Sequence, residues 1–303
     1  MLRIGIVKTV RDNSGLLLVF LPCFIYFVVF HYIPMVGIVV AFKDYLLGVG
    51  FSDSPWVGLE NFRRLFGNPE FIDALRNTVV ISLLRLAFGF VAPIILALML
   101  NELRSLSFKK TVQTVTYIPH LLSWVILSGI FLQIFSLNGP VNGLAALMDV
   151  APFSYLTDDV SFIIILIGTG IWQGVGYGAV IYLAALAGIP VSLYEAAMID
   201  GANRWQQMLR VTLPSLAPTI IVLLILNLGH ILDAGFDQIY NLYNPLVYDV
   251  ADIIDTCVLR RMMALDFGLS TAAGLFKSVV GLILVVLANA IARRATGGEQ
   301  GIW

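Results

Sequence analysis

Charge is scarce in this chain of 303 residues. Asp, Glu, Lys and Arg together make up 12% of it, about half the share of an ordinary soluble domain. The 18 basic and 19 acidic residues leave a formal net charge of -1, so no basic field is available to carry nucleic-acid binding. Cysteine is limited to Cys23, inside an apolar run, and Cys257, in a stretch near acids that reads as a loop. Neither a disulfide nor a thiolate metal pair is indicated. His31, His120 and His230 are scattered without ligand spacing, and no His/Asp/Glu constellation supports an intramembrane enzyme. A Gly-Lys-Ser/Thr phosphate loop is missing, as is the strand-loop-helix context such a loop needs. The chain is therefore not expected to hydrolyse ATP, and no cofactor or metal is expected on it. No internal repeat is visible.

Apolar residues are plentiful. They form 59% of the sequence, with a mean hydropathy of +0.92, which reads as an all-α polytopic membrane protein. Six runs approach the roughly 20 apolar residues a span requires: Leu16–Phe42, Thr78–Leu100, Val112–Phe135, Phe162–Ala187, Leu216–Phe236 and Leu269–Ile291. Arg3, Lys8 and Arg11 ahead of the first run imitate a signal peptide. The run is too long and lacks a small-residue cleavage site, so it reads as an uncleaved span. The segments predicted to be cytoplasmic contain these three residues with Arg104, Lys109, Lys110, Arg204, Arg210, Arg293 and Arg294. Lys43, Arg63, Arg64, Arg76, Arg260 and Arg261 are spread over longer loops on the other side, and 136–161 has acids but no Lys or Arg. The positive-inside bias thus predicts both termini in the cytoplasm. Pro22, Pro34, Pro93 and Pro119 predict kinks whose backbone groups are re-satisfied by neighbouring helices. Between the first two runs, Trp56–Thr78 predicts a short amphipathic surface helix with a break at Asn68-Pro69.

The most informative segment is Glu195–Pro214, EAAMIDGANRWQQMLRVTLP. It is polar and helix-prone, and it lies between two spans on the side predicted to be cytoplasmic. Ser192 with Glu195 suggests a capping box for a first helix over 193–200, approached by Pro190. Gly201 permits a turn that a larger residue would strain. Asn203 can cap a second helix through about Arg210, and Pro214 is expected to open the fifth span. Trp205 and Met208 are expected to pack on membrane helices. The pattern Glu195-Ala196-Ala197, Gly201, Leu213-Pro214 resembles the coupling loop of bacterial binding-protein-dependent ABC importer permeases, with Val211 where that family usually has Ile. With WVGLENFRRLFGNPEFIDALRNT and TGIWQGVGYGAVIYLAALAGIPVSLYEAAMIDGA, the resemblance extends from about Trp56 to Arg294. It lies within the carbohydrate branch, on the side of oligo- and polysaccharide permeases, including those of bacterial alginate importers.

The resemblance implies a domain plan. An N-terminal span and outer segment would occupy 1–75, a permease core 76–294 with the coupling loop at 190–214, and a cytoplasmic tail 295–303. It implies that Glu195, Ala196, Ala197, Asp200, Gly201, Ala202, Leu213 and Pro214 form the docking element for an ATPase. It also implies the partners: a second similar permease, two ATPase subunits that bind ATP and Mg, and an extracytoplasmic solute-binding protein in the inner membrane system.

Ionisable residues within spans mark pathways or internal pairs. Arg85, Asp233 and Lys277 fall in the outer half of the predicted membrane. One reading is an interhelical ion pair; the other is a cationic lining suited to an acidic saccharide. Asn227 and His230 share a helix face, and with Gln133 and Gln173 they could bond sugar hydroxyls. Trp172, Tyr177 and Tyr182 offer aromatic faces. The same polar groups could instead hold helices together. Gly170, Gly174 and Gly178, with Gly168 and Gly176 beside them, are read as a close-packing face. The competing transporter class is an ion-gradient carrier using Arg85, Asp233 and Lys277 for coupling. That class usually has more spans or a visible repeat, and it does not need the Glu195 loop.

Overall fold

A computed structural model describes residues 14–295. Arg3, Lys8 and Arg11 of the charge-bias argument and the tail 296–303 lie outside the described residues. Among the described residues the regular structure is helical, and the only extended pairing is an isolated antiparallel bridge between Lys43 and Trp56. In chain order the helices are α1 (Gly15–Phe42), α2 (Glu60–Phe66), α3 (Pro69–Glu102), α4 (Leu106–Leu121), α5 (Trp124–Ile134), α6 (Pro140–Ala146), α7 (Asp159–Ala187), α8 (Val191–Ile199), α9 (Arg204–Gly229), α10 (Phe236–Leu242), α11 (Tyr248–Ala251), α12 (Ile254–Met263) and α13 (Phe267–Arg294). Of these, α1, α3, α7, α9 and α13 are long and apolar enough to cross a membrane, and α4 with α5 form a pair bent by 99°.

Contacts divide the chain into two units, one of 14–67 with 261–275, the other of 68–260 with 276–295. The first closes at Gly67 and takes in a late segment of the chain. Within it, the buried Asn61 side chain donates to the carbonyls of Ala41 and Lys43 at 3.0 and 2.9 Å. This ties the expected surface helix, α2, to the end of α1. Most of α1 is exposed on this chain.

The second unit holds the remaining helices, and its element ends differ from the sequence expectation for local reasons. Asn68 Oδ1 accepts from the Glu70 amide at 3.0 Å, with Pro69 at the first helical position, so α3 starts at 69 and not at 78. The third span is not one helix. Pro119 sits in a 3-10 turn over Ile118–Leu121, and Leu122 and Ser123 are extended, which breaks the run between α4 and α5. The fifth span starts early, because α9 runs from Arg204 through a π turn at Met208–Thr212 and past Pro214 without a break. It also ends early, at Gly229. The left-handed pair Ala234 (φ 46°) and Gly235 (φ 78°) turns the chain before Phe236. Cys257, expected in a loop, lies buried in α12.

Two apolar clusters pack this unit. One joins Ile81, Phe162, Ile165, Leu166, Ile239 and Ile253. The other joins Ile94, Ala97, Ala179, Tyr182, Leu186 and Leu216. The 13 residues from Ile81 to Ile94 place these clusters about 20 Å apart along α3. Small residues allow the close approaches: a Cβ built on Gly178 would lie 2.9 Å from Pro93, and one on Gly281 would lie 3.0 Å from the Gly229 carbonyl. The glycine face of α7 is only partly of this kind, since Gly168 and Gly174 have open space at their Cβ positions.

Candidate functional site

Between the two clusters lies a cavity of about 450 Å³, walled by α3, α7 and α9 with His120 from the α4 break. A π turn at Arg85–Gly89 interrupts α3 at this level, and such turns re-aim side chains within a helix. Arg85 lines the cavity and donates to Gln238 Oε1. Gln238 is fully buried on α10, and its amide nitrogen donates at 2.8 Å to both the Leu166 carbonyl and Thr169 Oγ1. No carboxylate lies within ion-pair distance of Arg85 among the described residues.

Lys277 is placed differently. Its Nζ lies 2.6 Å from Asp233 Oδ1, and 2.7 and 2.8 Å from the two oxygens of Asp255. Asp233 also faces His230 Nδ1 at 3.3 Å. The lysine is thus clamped by two carboxylates and does not line the cavity. Burial raises the Asp255 carboxyl above its ordinary range, the Lys277 hydrogen bond opposes that, and the Asp233 charge adds to it. Arg85 does not belong to this ion-pair cluster.

Of the expected pathway residues, Arg85, Gln173, Tyr177, Asn227, His230 and Asp233 meet at the cavity, together with Tyr182. Gln133 and Trp172 are not among its lining. Gln133 is exposed on α5, and Trp172 stands edge-on to Phe131 at 5.7 Å. Residues 172 and 173 are successive on a helix and point about 100° apart, so only one of them can face a given wall. Asn227 also donates to the Leu223 carbonyl at 2.8 Å. The sequence reading missed Gln238, Asp255 and His120, whose ring stacks on Tyr177 at 4.1 Å.

The segment 190–214 forms a helix, a turn and the start of a second helix. α8 begins at Val191, with Pro190 as its cap and no side-chain cap bond, so the expected Ser192–Glu195 capping box is not formed. Gly201 is left-handed at φ 78°. Asn203 and Gln206 cap α9 reciprocally, each bond 2.9 Å. Glu195, Ala196, Asp200 and Gly201 are exposed, and Ala197, Ala202 and Leu213 are half-buried. Pro214 is exposed within the continuous helix. The segment is anchored from behind by Tyr194 Oη to Thr212 Oγ1 at 3.0 Å and by Arg204 to Glu102 at 3.3 Å. Trp205, expected to pack on membrane helices, is instead 66% exposed on this chain. The segment thus presents an exposed helix face that is tied back to the rest of the chain by these two contacts.

Comparison with known proteins places these features in a family. Residues 89–297 match the model of the binding-protein-dependent transport system inner membrane component. The protein LplB of Bacillus subtilis (strain 168) is 44% identical over 288 residues, covering 94% of this chain and 90% of the relative. The polygalacturonan/rhamnogalacturonan transport system permease protein YteP of the same organism is 44% identical over 300 residues, covering 98% and 92%. A chain in the crystal structure of a bacterial alginate ABC transporter, in complex with its alginate pentasaccharide-bound periplasmic protein, superposes with a TM-score of 0.90. It is 40% identical, covering 97% of this chain and 99% of that one. The chain belongs to the family of binding-protein-dependent transport system inner membrane components. It is accordingly a multi-pass permease subunit of an ABC importer and not an enzyme, and the gradient-driven reading falls away.

Proposed function

We propose that this chain forms half of the membrane pathway of an ATP-driven importer for an acidic oligo- or polysaccharide. A second, similar permease supplies the other half. Two ATPase subunits, which carry ATP and Mg, dock on the Glu195 loop, and an extracytoplasmic binding protein delivers the saccharide. The chain itself holds no cofactor. Both termini and the Glu195 loop face the cytoplasm, in keeping with the bias of Lys and Arg toward those segments.

The observation that carries this reading is the cavity between two apolar clusters, midway along α3 and α7 and at the end of α9, with Arg85, Gln173, Asn227 and His230 in its wall. Irregular backbone and buried polar groups at membrane depth are tolerated where they line such a space. The saccharide class draws support from the relatives, since alginate and polygalacturonan are both the cargo named for proteins of this family. Aromatic faces at Tyr177 and Tyr182 and donors at Gln173 and Asn227 suit sugar rings and hydroxyls.

The test is to purify the complete complex, reconstitute it, and measure ATPase activity with binding protein loaded with alginate or galacturonate oligomers. Stimulation by a uronate oligomer is expected, and its loss in Glu195→Lys with the complex still assembled. A complex stimulated only by neutral sugars would overturn the acidic class. Stimulation undiminished by Glu195→Lys would overturn the docking role.

A further inference from the structure

Arg85 and Lys277 are the cations that the bilayer-spanning helices bring near the cavity, and the structure treats them oppositely. Lys277 is saturated by Asp233 and Asp255. Arg85 faces a neutral amide, and its Nε is buried without a hydrogen-bond partner. A guanidinium offers five donors and accepts nothing, so most of its capacity is unused by the protein. Because Arg can only donate, the Gln238 oxygen must face it and the amide nitrogen must face away, where Leu166 and Thr169 hold it. Thr169 Oγ1 in turn donates to the Ile165 carbonyl at 2.6 Å. The relay runs from the α7 backbone through Thr169 and Gln238 to the guanidinium.

Two glycines make room for that arrangement. A Cβ on Gly170 would lie 3.1 Å from Gln238 Oε1 and 3.6 Å from Arg85 Nη1, and one on left-handed Gly235 would overlap the guanidinium. The charge is therefore cradled and oriented but not neutralised. An uncompensated cation at membrane depth is costly and is retained where something else supplies the negative charge. A guanidinium recognises carboxylates in a planar, two-pronged geometry that a point charge lacks.

Resting on the proposed saccharide pathway, we infer that Arg85 is the residue that reads the carboxylate of a uronate unit in the cavity. Gln238 acts as its positioning residue, and Lys277 takes no part in recognition. Selectivity for acidic over neutral sugars inside the membrane then rests on one side chain of this subunit. It is separate from the selectivity of the binding protein.

The experiment uses the assembled complex without binding protein, so that only the membrane site is read. A cysteine is placed at a wall position that has room for a side chain and no assigned sugar contact (Gly174→Cys, with Cys23→Ser). Maleimide labelling of this chain is followed by its mass shift in the presence of trigalacturonate or of trigalactose, its carboxyl-reduced counterpart. Arg85→Gln is expected to raise the half-protecting concentration of trigalacturonate about tenfold or more. Protection by trigalactose should change by less than about twofold, within the scatter of a neutral contact. Arg85→Lys should recover part of the loss. Gln238→Met, which keeps the cation but removes its orienting acceptor, should weaken protection by trigalacturonate alone. Equal shifts for both sugars, or no shift for either, would overturn the inference and leave the pathway intact. If neither sugar protects the reporter cysteine at any concentration when Arg85 and Gln238 are intact, the pathway reading itself fails and the inference with it.

Discussion

Lys277 shows how much a single ionisable side chain in a span can and cannot disclose. Its presence with Asp233 on apolar runs was legible, because charge is so rare there that pairing is the default expectation. Asp255 was not legible. It lies in a stretch without span character, and only the turn after α9 brings it beside the other two. The third partner changes the expected outcome of substitution. Lys277→Gln leaves two carboxylates facing one another. The loss should be about 1–3 kcal/mol, below the 3–5 typical of fully buried pairs, because the Asp233 side chain is 50% exposed. Assembly or thermal stability should fall, with partial recovery in Lys277→Gln/Asp233→Asn and more when Asp255→Asn is added. The sign of the pH effect follows from Asp255, whose folded carboxyl titrates above its ordinary 3.8. The folded state then holds its proton to higher pH than the unfolded state. The stabilising contribution is greatest at low pH and is lost as pH rises through that raised value. Removing the Lys277 counter-pull widens the window, so Lys277→Gln should melt closer to the unaltered complex at pH 5 than at pH 8. A variant equally stable at both pH values and no weaker than the original would refute the clamp.

The helices were most legible where the signal was local. Asn203 as a cap and Gly201 as a turn were read from residue type alone and are seen in the structure, because cap geometry and a positive φ depend on a few adjacent residues. The continuity of α9 was not legible. Pro214 normally argues for a helix start, since it has no amide to donate four residues back. Here the preceding turn is π-helical, with the Leu213 amide reaching Met208 O, and the helix passes the proline intact. The bend between α4 and α5 was hidden for the opposite reason, since an unbroken apolar run concealed the 3-10 turn around Pro119. One consequence is mechanical: a helix that begins in the exposed loop and ends beside the cavity can carry displacement from one to the other. Gly201→Pro demands a φ near −65° where the chain has 78°. It should leave the chain inserted and the complex assembled while abolishing saccharide-stimulated ATPase. Gly201→Ala, costing about 1 kcal/mol for the left-handed backbone, should retain part of the stimulation. Near-normal transport in the proline variant would remove the loop from the coupling mechanism.

The orientation of the molecule in the membrane was inferred from charge, and the helices now give that inference a geometry that can be tested. α7 has 29 residues, about 44 Å of helix at 1.5 Å per residue. That exceeds the roughly 30 Å hydrocarbon core, so its two ends must lie on opposite faces. Asp158 caps the first end by accepting the Ser161 amide at 2.9 Å, a bond that holds its carboxyl below the ordinary range. The second end leads within a few residues into α8 and the exposed turn at Gly201. Cysteine at Asn203 and cysteine at Asp159, the latter chosen to spare the cap, therefore report opposite sides at any tilt up to about 40°, the ordinary range for a spanning helix. An impermeant maleimide added to right-side-out vesicles should label Asp159→Cys and leave Asn203→Cys unlabelled until the membrane is permeabilised. Cys257 is buried and should stay silent, and Cys23 can be replaced by Ser to remove the exposed thiol. The inverse pattern would place the Glu195 loop outside the cell, beyond the reach of any cytoplasmic ATPase. The docking role would fall even if the cavity still carried a saccharide.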